Sequence, residues 1–220
     1  MLLSRYGLRE WLSITIVCAV IGTVCAAIGW WWAFGGAGVI WIGLAGFFRD
    51  PFRKVPTDLP GGTMLSPADG TVSKVLRVDH HEATGGPAVI VRIFLSVLNV
   101  HINRSPCDGE VSALKHVPGK YYDARREISA AENESNLITL CIGGDETIGV
   151  RQVSGAIARR IVCPLQTGDR LSRGQKFGMI KFGSTTELIL PRPDDVEVLV
   201  AEGDKVRAGL TRLARLKPKS

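Results

Sequence analysis

Gly183 and Ser184 are the two residues whose types and order suit a reaction most directly. They lie in Lys-Phe-Gly-Ser-Thr-Thr at residues 181–186, just before an apolar run typical of a strand. A glycine leaves its carbonyl unshielded by a side chain and gives the backbone conformations that other residues resist. The Ser184 hydroxyl can then reach back to the Gly183 carbonyl, which is the geometry of chain self-cleavage. Gly-Ser-Thr stretches are also ordinary turns, so this pair alone does not establish a function.

Asp69 and His101 are the acid and the base that could serve this serine. Asp69 lies in Pro-Ala-Asp-Gly, which is typical of a tight turn before a strand, and His101 alternates with apolar residues after a long apolar run. A serine becomes a nucleophile when a neighbouring base takes its proton and an acid orients that base. Both residues also fit purely structural roles, as a turn aspartate and a buried histidine. No Gly-x-Ser-x-Gly stretch is present, which argues against an α/β-hydrolase.

The composition combines an apolar N-terminal fifth with an ordinary Gly-rich globular sequence. The net charge is +6, but aromatic residues do not interleave with the basic ones and no nucleic-acid-binding motif is present. A basic chain with an apolar segment indicates an anionic membrane surface as its partner, and no nucleic acid. The five cysteines include no Cys-x-x-Cys pair, which predicts a reduced compartment and no metal site.

Residues 11–48 contain no Asp, Glu, Lys, Arg or His. One bilayer crossing needs about 20 apolar residues, so this segment is longer than one crossing and marginal for two. Basic residues flank both ends, which predicts a helical hairpin with both ends in the cytoplasm. Three consecutive tryptophans lie near the middle, where indoles indicate a membrane interface, and the pair Gly35 and Gly36 favours a turn. A single tilted helix is the alternative, and a cleaved signal peptide fits poorly because the segment is too long.

The rest of the chain predicts a juxtamembrane linker over residues 49–62 and a domain over residues 63–220. A helix or ordered loop is expected over 124–134, residues 156–162 are ambiguous, and the basic tail from residue 210 is expected to be solvated. Short strands between Gly, Pro and Asp turns are predicted over residues 71–78, 88–95, 109–117, 137–142, 149–154, 177–182, 186–190 and 196–200.

Two segments, 168–175 and 203–209, repeat a Gly-Asp turn. In each, Asp and Gly support a tight turn and an apolar residue points inward. Such turns resemble those of lipoyl- and biotinyl-type domains. The fold class is therefore mainly β, a β-sandwich or barrel-sandwich-like domain preceded by a hydrophobic helical hairpin.

A set of short motifs, in this order and spacing, resembles the phosphatidylserine decarboxylase family. The similarity is to its short, membrane-associated branch and covers most of the chain. The motifs are Phe-Phe-Arg-Asp-Pro at 47–51, Ser-Pro-Ala-Asp-Gly at 66–70, Val-His-Ile-Asn-Arg-Ser-Pro at 100–106, Glu-Asn-Glu-Ser-Asn at 132–136, Gln-Val-Ser-Gly at 152–155 with Ala-Arg-Arg-Ile at 158–161, and Phe-Gly-Ser-Thr at 182–185.

The resemblance implies that the chain makes its own cofactor. Ser184 Oγ would attack the Gly183 carbonyl to form an ester, and β-elimination would then leave a dehydroalanine that hydrolyses to a pyruvoyl group. The products would be a β chain ending at residue 183 and an α chain of residues 184–220, held together as a heterodimer. His101 would be the base and Asp69 its orienting acid. The pyruvoyl group at residue 184 would form a Schiff base with the substrate amine and accept its electrons.

The same resemblance implies a substrate and a location. The substrate would be phosphatidylserine, converted to phosphatidylethanolamine and CO2, although archaetidylserine or another diradyl phosphoserine lipid presents the same headgroup. The catalytic domain would lie on the cytoplasmic side of the inner membrane, where the anchor keeps it near a substrate that stays in the bilayer. His101 is also the candidate proton donor to the substrate Cα.

The sequence departs from the family pattern at two positions. Longer members carry a second histidine shortly before the one matched here, and this chain has none around Leu98, so the decarboxylation acid is less defined than the cleavage base. Asn99 stands where short members often have Asp. No motif identifies the phosphate-binding residues, for which Arg104 and the pair Arg159 and Arg160 are candidates beside an ordinary role as surface charges.

Two other classes of protein compete with the decarboxylase. A membrane-anchored barrel-sandwich binding or adaptor module without catalysis would explain the repeated Gly-Asp turns. The sequence has neither the Met-Lys tip of a carrier domain nor the long coiled-coil hairpin of an adaptor. A zinc endopeptidase would need closely spaced histidines such as His-x-His, which are also lacking.

Overall fold

A computed structural model describes residues 3–156, 160–181 and 184–218. The chain divides into two compact units, Met1–Phe52 and Arg53–Ser220. Gly183 and Arg159, both named as candidates above, lie outside the described residues.

The first unit is a pair of apolar helices, α1 (Leu8–Ala27) and α2 (Trp31–Phe47). The chain turns between them at Gly29, whose φ of +75° is one that glycine adopts without strain. Gly35 and Gly36 lie inside α2, so the expectation that they form the turn is wrong. A single positive-φ glycine is sufficient for the turn, and the apolar neighbours of the pair continue the helix.

The surface of these helices is largely apolar. Trp32 and Ile40 are among the many large hydrophobic side chains that remain exposed. The segment Arg5–Ala27 is long and apolar enough to cross a membrane, and Trp31–Phe47 is shorter. The helices therefore suggest membrane association. Between them, Trp41 Nε1 donates a hydrogen bond of 2.9 Å to Thr15 Oγ1.

The second unit consists of short strands with one short helix, Glu127–Glu132 (α3). The strands are β1 (Thr63–Leu65), β2 (Gly70–His81), β3 (Gly86–Leu95), β4 (Ile102–Arg104), β5 (Gly109–Val117), β6 (Ser135–Gly143), β7 (Glu146–Val153), β8 (Ile161–Val162), β9 (Arg170–Leu171), β10 (Lys176–Ile180), β11 (Ser184–Pro191), β12 (Val196–Val198), β13 (Lys205–Val206) and β14 (Arg212–Leu216). The predicted mainly β class, preceded by apolar helices, is confirmed.

Three antiparallel sheets form this unit. The largest has eight strands in the order β13-β2-β3-β11-β7-β6-β5-β9, and the two smaller ones have the orders β1-β14-β12 and β4-β10-β8. Side chains alternate between the two faces of a strand, so Leu188 and Leu190 of β11 enter the main core with Ile93 and Leu95 of β3. Ser184 and Thr186 belong to the same alternating set as these leucines and continue it toward the start of β11.

The expectation that the basic tail is solvated is wrong for residues 212–216, which form strand β14. β14 lies at the centre of a three-stranded sheet, and its Leu213, Ala214 and Leu216 are buried. Arg212 and Arg215 of the same strand remain exposed. The short strands β1, β4, β8, β9 and β13 were also missed, because two or three residues carry no measurable period.

The two Gly-Asp turns are structurally equivalent. Asp169 Oδ2 accepts from Gln166 N, and Asp204 Oδ2 accepts from Ala201 N, each at 2.8 Å. Gly168 and Gly203 both have positive φ, at +92° and +96°. Such an aspartate closes a turn over its own backbone. The repeated motif therefore predicted a real structural repeat.

Most of the motifs lie at one end of the eight-stranded sheet. Because neighbouring strands run antiparallel, the last residue of one strand lies beside the first residue of its neighbour. The pairings that define this end, called here the Ser184 end, are Thr71 with Phe94, Leu95 with Ser184, Thr185 with Val153, Val153 with Ser135, and Ser135 with Val117.

Candidate active site

Ser184 is the first residue of β11, at the Ser184 end of the sheet. It pairs with Leu95 of β3 and is fully buried. Its Oγ has no hydrogen-bond partner among residues 3–156, 160–181 and 184–218. A buried hydroxyl without a partner costs about 1–3 kcal/mol, so most such groups are satisfied. An unsatisfied serine beside the glycine predicted to be cleaved is therefore an unusual feature that calls for a chemical reason.

A second buried serine, Ser154, lies at the same end of the sheet. It follows Val153 of β7, the residue that pairs with Thr185. Ser154 Oγ is also buried and has no partner within the described parts of the chain. The sequence reading included Ser154 only as part of a motif and gave it no role.

His101 is completely buried just before β4. Its Nδ1 lies 3.0 Å from the backbone oxygen of Asn99. A carbonyl oxygen can only accept a hydrogen bond, so this contact requires the proton on Nδ1 and leaves the Nε2 lone pair as the base of the neutral ring. The substitution at Asn99 does not disturb the turn, because its Oδ1 accepts from both the backbone N and the Oγ of Ser96 at 2.9 Å.

Two chain connections hold His101 near Ser184. On one side, the His101 oxygen accepts from Ile180 N at 3.2 Å, and Ser184 follows Ile180 by four residues. Four residues span at most about 14 Å. On the other side, Leu95 pairs with Ser184, and the loop of residues 96–100 leads directly to His101. The predicted base and nucleophile therefore lie in one region of the molecule.

Asp69 lies at the same end of the sheet, immediately before β2. Its two carboxylate oxygens accept from the two terminal nitrogens of Arg53 at 2.5 and 2.7 Å, and Oδ1 also accepts from Ala208 N at 2.8 Å. The next residue must be small. A Cβ on Gly70 would lie 2.1 Å from the backbone oxygen of Phe94, so glycine permits the close approach of β2 to β3.

No hydrogen bond joins Asp69 to His101 in the part of the chain that the structure describes. The carboxylate of Asp69 is bound by Arg53 and Ala208, and the contact of His101 Nδ1 is with the Asn99 carbonyl. The role of Asp69 as the acid that orients His101 stays a prediction. Arg53 was missed because nothing in the sequence links a linker arginine to an aspartate 16 positions later.

A chain of buried amides lies beneath the site. Asn136 Nδ2 donates to Gln152 Oε1 (3.1 Å), Gln152 Nε2 donates to Asn103 Oδ1 (2.9 Å), and Asn103 Nδ2 donates to Thr186 Oγ1 (3.1 Å). Three of these residues belong to motifs that carried the family resemblance. The chain joins β6, β7, β4 and β11, so it fixes the strands that carry the candidates. Sequence reasoning did not predict this chain, because only the folded structure shows that these polar residues are buried and in contact.

The candidate phosphate-binding residues differ in exposure. Arg104 is buried, and its Nη1 donates to the Gly174 oxygen at 3.0 Å. Arg160 is exposed, and its backbone oxygen accepts from Lys181 N at 3.2 Å, so it lies beside the segment that leads to Ser184. Lys181 itself is buried. Arg160 is therefore a cation at the rim of the site, and Lys181 was not among the predicted candidates.

Comparison with known proteins identifies relatives over nearly the whole chain. The family model for phosphatidylserine decarboxylase matches residues 44–214. The chain is 44% identical over 216 residues to the phosphatidylserine decarboxylase proenzyme of Rhodopirellula baltica, covering 96% of this chain and 87% of that protein. It is 45% identical over 206 residues to the proenzyme of Symbiobacterium thermophilum, with 91% and 92% coverage. The proenzyme of Burkholderia mallei is 37% identical over 211 residues, with 94% of each chain covered.

Proposed function

The chain belongs to the phosphatidylserine decarboxylase family of carboxy-lyases, and from this premise we propose that it is a self-processing, pyruvoyl-dependent enzyme. Its reaction would convert phosphatidylserine to phosphatidylethanolamine and CO2 in phospholipid biosynthesis. The observation that carries the proposal is the buried Ser184 hydroxyl without a described partner, at the start of β11 and in the same region as a buried histidine.

Self-processing begins with the Ser184 hydroxyl. Its Oγ attacks the Gly183 carbonyl carbon, the peptide C–N bond breaks, and the Gly183 carboxyl becomes an ester of Ser184. A base then removes the Ser184 Cα proton, and the electron pair expels the Gly183 carboxylate by β-elimination. Water hydrolyses the resulting dehydroalanine with loss of ammonia, which leaves a pyruvoyl terminus on the α chain. His101 Nε2 is the candidate base for the proton transfers.

The residues around Ser184 fit this use. A hydroxyl that donated to a fixed acceptor other than its base would be a poorer nucleophile, and Ser184 Oγ donates to no such acceptor among the described residues. The Asn99 carbonyl holds His101 in the tautomer that a base requires. The amide chain from Asn136 to Thr186 fixes the strands on which both residues depend. The site is also buried, which excludes water from the ester before elimination.

Decarboxylation uses the same residues in a second role. The pyruvoyl carbonyl supplies a sink for the electrons that remain on the substrate Cα when CO2 leaves. His101 is our candidate for the group that returns a proton to that carbon. The buried surroundings of residue 184 keep water away from the reacting carbon. Arg160, exposed at the rim, is suited to the phosphate of the headgroup.

The working form would be a heterodimer of a β chain ending at Gly183 and an α chain beginning at residue 184. The apolar helices would anchor the β chain in the inner membrane, with the catalytic unit on the cytoplasmic side. Anchoring confines the site to the bilayer that holds its substrate, and so raises the frequency of productive encounters.

Intact mass spectrometry of the purified full-length chain tests the proposal. Wild type should yield two fragments divided after Gly183, with an α fragment lighter by one ammonia than a fragment with a serine terminus. Ser184→Ala should remain whole, whereas Ser135→Ala, a change at another buried serine of the same sheet end, should still be cleaved. The cleaved protein should release CO2 from phosphatidylserine. A folded wild-type chain that stays whole in lipid would refute self-processing and favour the anchored binding module.

A further inference from the structure

Exposed apolar side chains cluster at the Ser184 end of the sheet. Among the described residues of the Arg53–Ser220 unit, six large hydrophobic side chains are exposed, and five of them lie at or beyond strand ends at this edge. Leu98 is the most exposed at 80%, and the other four are 39–46% exposed. Scattered exposed hydrophobic residues are normal, but five around one end are not. The five are Val97, Leu98, Val117, Tyr121 and Ile128.

Val97 and Leu98 lie at the tip of a closed turn. Ser96 donates two hydrogen bonds to the side chain of Asn99, and Asn99 N donates back to the Ser96 oxygen at 2.9 Å. The turn fixes the backbone, so the two apolar side chains project from a defined position. It follows Leu95, the partner of Ser184, and precedes His101. The tip is therefore the rim of the candidate active site.

The other three residues belong to the end of β5 and to the β5–β6 connection, residues 118–134. This connection starts and ends at the Ser184 end, because Val117 pairs with Ser135. It is tied down by Asn133, whose side chain bonds both the N and the O of Tyr122 at 2.8 Å. α3 reaches across to β2 through an ion pair between Glu127 and Lys74. The exposed Tyr121 and Ile128 therefore sit on an ordered connection.

Most charges of this connection are paired with one another or with a strand, whereas the exposed Arg126 lies over the Tyr122 ring. Lys120 lies 2.8 Å from Glu132, and Arg125 lies 2.6 Å from Asp123. Paired surface charges give little net field and contribute little to binding. The surface therefore has apolar side chains set among charges that are mostly neutralised locally. Such a surface enters the interface of a bilayer through its apolar groups rather than by attraction to anionic headgroups.

We propose that Val97, Leu98, Val117, Tyr121 and Ile128 form a surface that inserts into the interfacial layer of a phospholipid bilayer, so that the active site opens directly onto lipid. This inference rests on the proposed function. A lipid substrate must bring its headgroup to residue 184 while its acyl chains stay in an apolar environment. An apolar rim in contact with the bilayer meets that requirement, because the lipid need not pass through water.

A bilayer is a better occupant of this surface than a protein partner. The five side chains lie at the end of the sheet that holds Ser184, where the proposed site must admit substrate and release product at every turnover. A protein bound over this end would obstruct that exchange, whereas a fluid bilayer covers the apolar side chains and supplies the substrate. Tyrosine is also enriched at membrane interfaces, where its ring is buried and its hydroxyl remains hydrated. The hydroxyl of Tyr121 donates to Glu134 at 2.9 Å, which is compatible with that position.

Photolabelling in vesicles tests the surface without relying on activity. The full-length Ser184→Ala chain would be reconstituted in phosphatidylcholine vesicles that carry a phosphatidylcholine with a diazirine in its acyl chain. After illumination, peptides containing residues 96–99 and 117–128 should be labelled, and labelling should persist in high salt. The hairpins at residues 81–86 and 143–146, at the other end of the sheet, should remain unlabelled. Labels confined to residues 1–52, or equal labelling of both sheet ends, would overturn the proposal.

A kinetic comparison tests whether the surface serves catalysis. Leu98→Ser should lower the decarboxylation rate roughly tenfold on bilayer phosphatidylserine, because much of a leucine side chain's burial is lost, and leave the rate on a soluble short-chain analogue nearly unchanged. Leu199→Ser, at the sixth exposed residue, is the matched control and should alter neither rate. An equal loss on both substrates would mean that Leu98 acts inside the site and would contradict the proposal. If wild type decarboxylates neither substrate, the proposed function fails while the photolabelling result still decides the surface.

Discussion

The ion pair of Arg53 and Asp69 gives the sharpest prediction on stability. The two side chains are only 8% and 10% exposed, and both carboxylate oxygens accept from the guanidinium at 2.5 and 2.7 Å. Arg53→Ala removes both bonds and leaves a carboxylate buried with the Ala208 amide as its remaining described partner. Breaking a buried pair by deleting one partner costs about 3–5 kcal/mol. We expect Arg53→Ala to destabilise the Arg53–Ser220 unit by that amount.

Urea unfolding of the full-length protein in detergent, followed by far-ultraviolet circular dichroism, measures this loss. All five tryptophans lie in the first unit, so tryptophan fluorescence would report on the helices rather than on the sheets. For a slope of about 2 kcal/mol per molar urea, the midpoint should fall by roughly 1.5–2.5 M. Arg53→Lys should fall between wild type and Arg53→Ala, because lysine keeps the charge but loses the planar fork.

The exposed ion pair of Arg77 and Asp194 provides the control. Its side chains are 64% and 97% exposed, so Arg77→Ala should cost at most about 1 kcal/mol. The double variant Arg53→Met with Asp69→Leu should recover much of the stability lost in Arg53→Met alone, because no charge is then left buried. If Arg53→Ala is no more destabilising than Arg77→Ala, or if the double variant is the sum of the two single ones, the reasoning from burial is wrong.

Three further predictions follow from other parts of the second unit. Burial raises the pKa of Cys107 to about 12, so the thiolate fraction at pH 8 is about 10⁻⁴; iodoacetamide should spare Cys107 in the folded chain and label it after denaturation. Burial lowers the pKa of His81 below 6.5, and its Nδ1 accepts from Ala83 N. The contribution of His81 to the free energy of unfolding should therefore be complete above about pH 6.5 and decline as the pH falls toward the pKa of the folded state. His81→Asn should flatten that pH dependence in urea titrations. Gly70→Ala should prevent normal folding, because its Cβ would lie 2.1 Å from a backbone oxygen of β3, whereas Gly86→Ala meets no atom within 4 Å; equal melting temperatures for the two variants would refute this.

The sequence predicted the fold well where strands are long. β2, β3, β5 and β6 each have nine residues or more, and each was predicted within a few residues of its bounds. The two-residue strands β8, β9 and β13 were missed, since only their partners determine them. The turn at Gly29 was assigned to Gly35 and Gly36, because a pair of glycines in an apolar run reads as a break although a single positive-φ residue is sufficient.

The candidate site shows the same division between local and tertiary information. Ser184 and His101 could be chosen from residue type and motif, and both prove to be buried in one region. Arg53 could not be chosen in this way, because its contact with Asp69 depends on the tertiary path of the linker that separates the two residues. The amide chain from Asn136 to Thr186 was equally invisible, since its four members lie on four strands that only the sheet order brings together.

The buried hydroxyls of Ser184 and Ser154 make the strongest physical case that this sheet end is selected for chemistry rather than stability. Around them nearly every polar group has a partner, from the Asn99 carbonyl on His101 to the amides in the layer below. For stability alone, alanine would be the better residue at both positions, because it removes the desolvation cost of an unsatisfied hydroxyl. The proposed self-cleavage would use such a hydroxyl, because Ser184 lies in the same region as the buried His101, the candidate base.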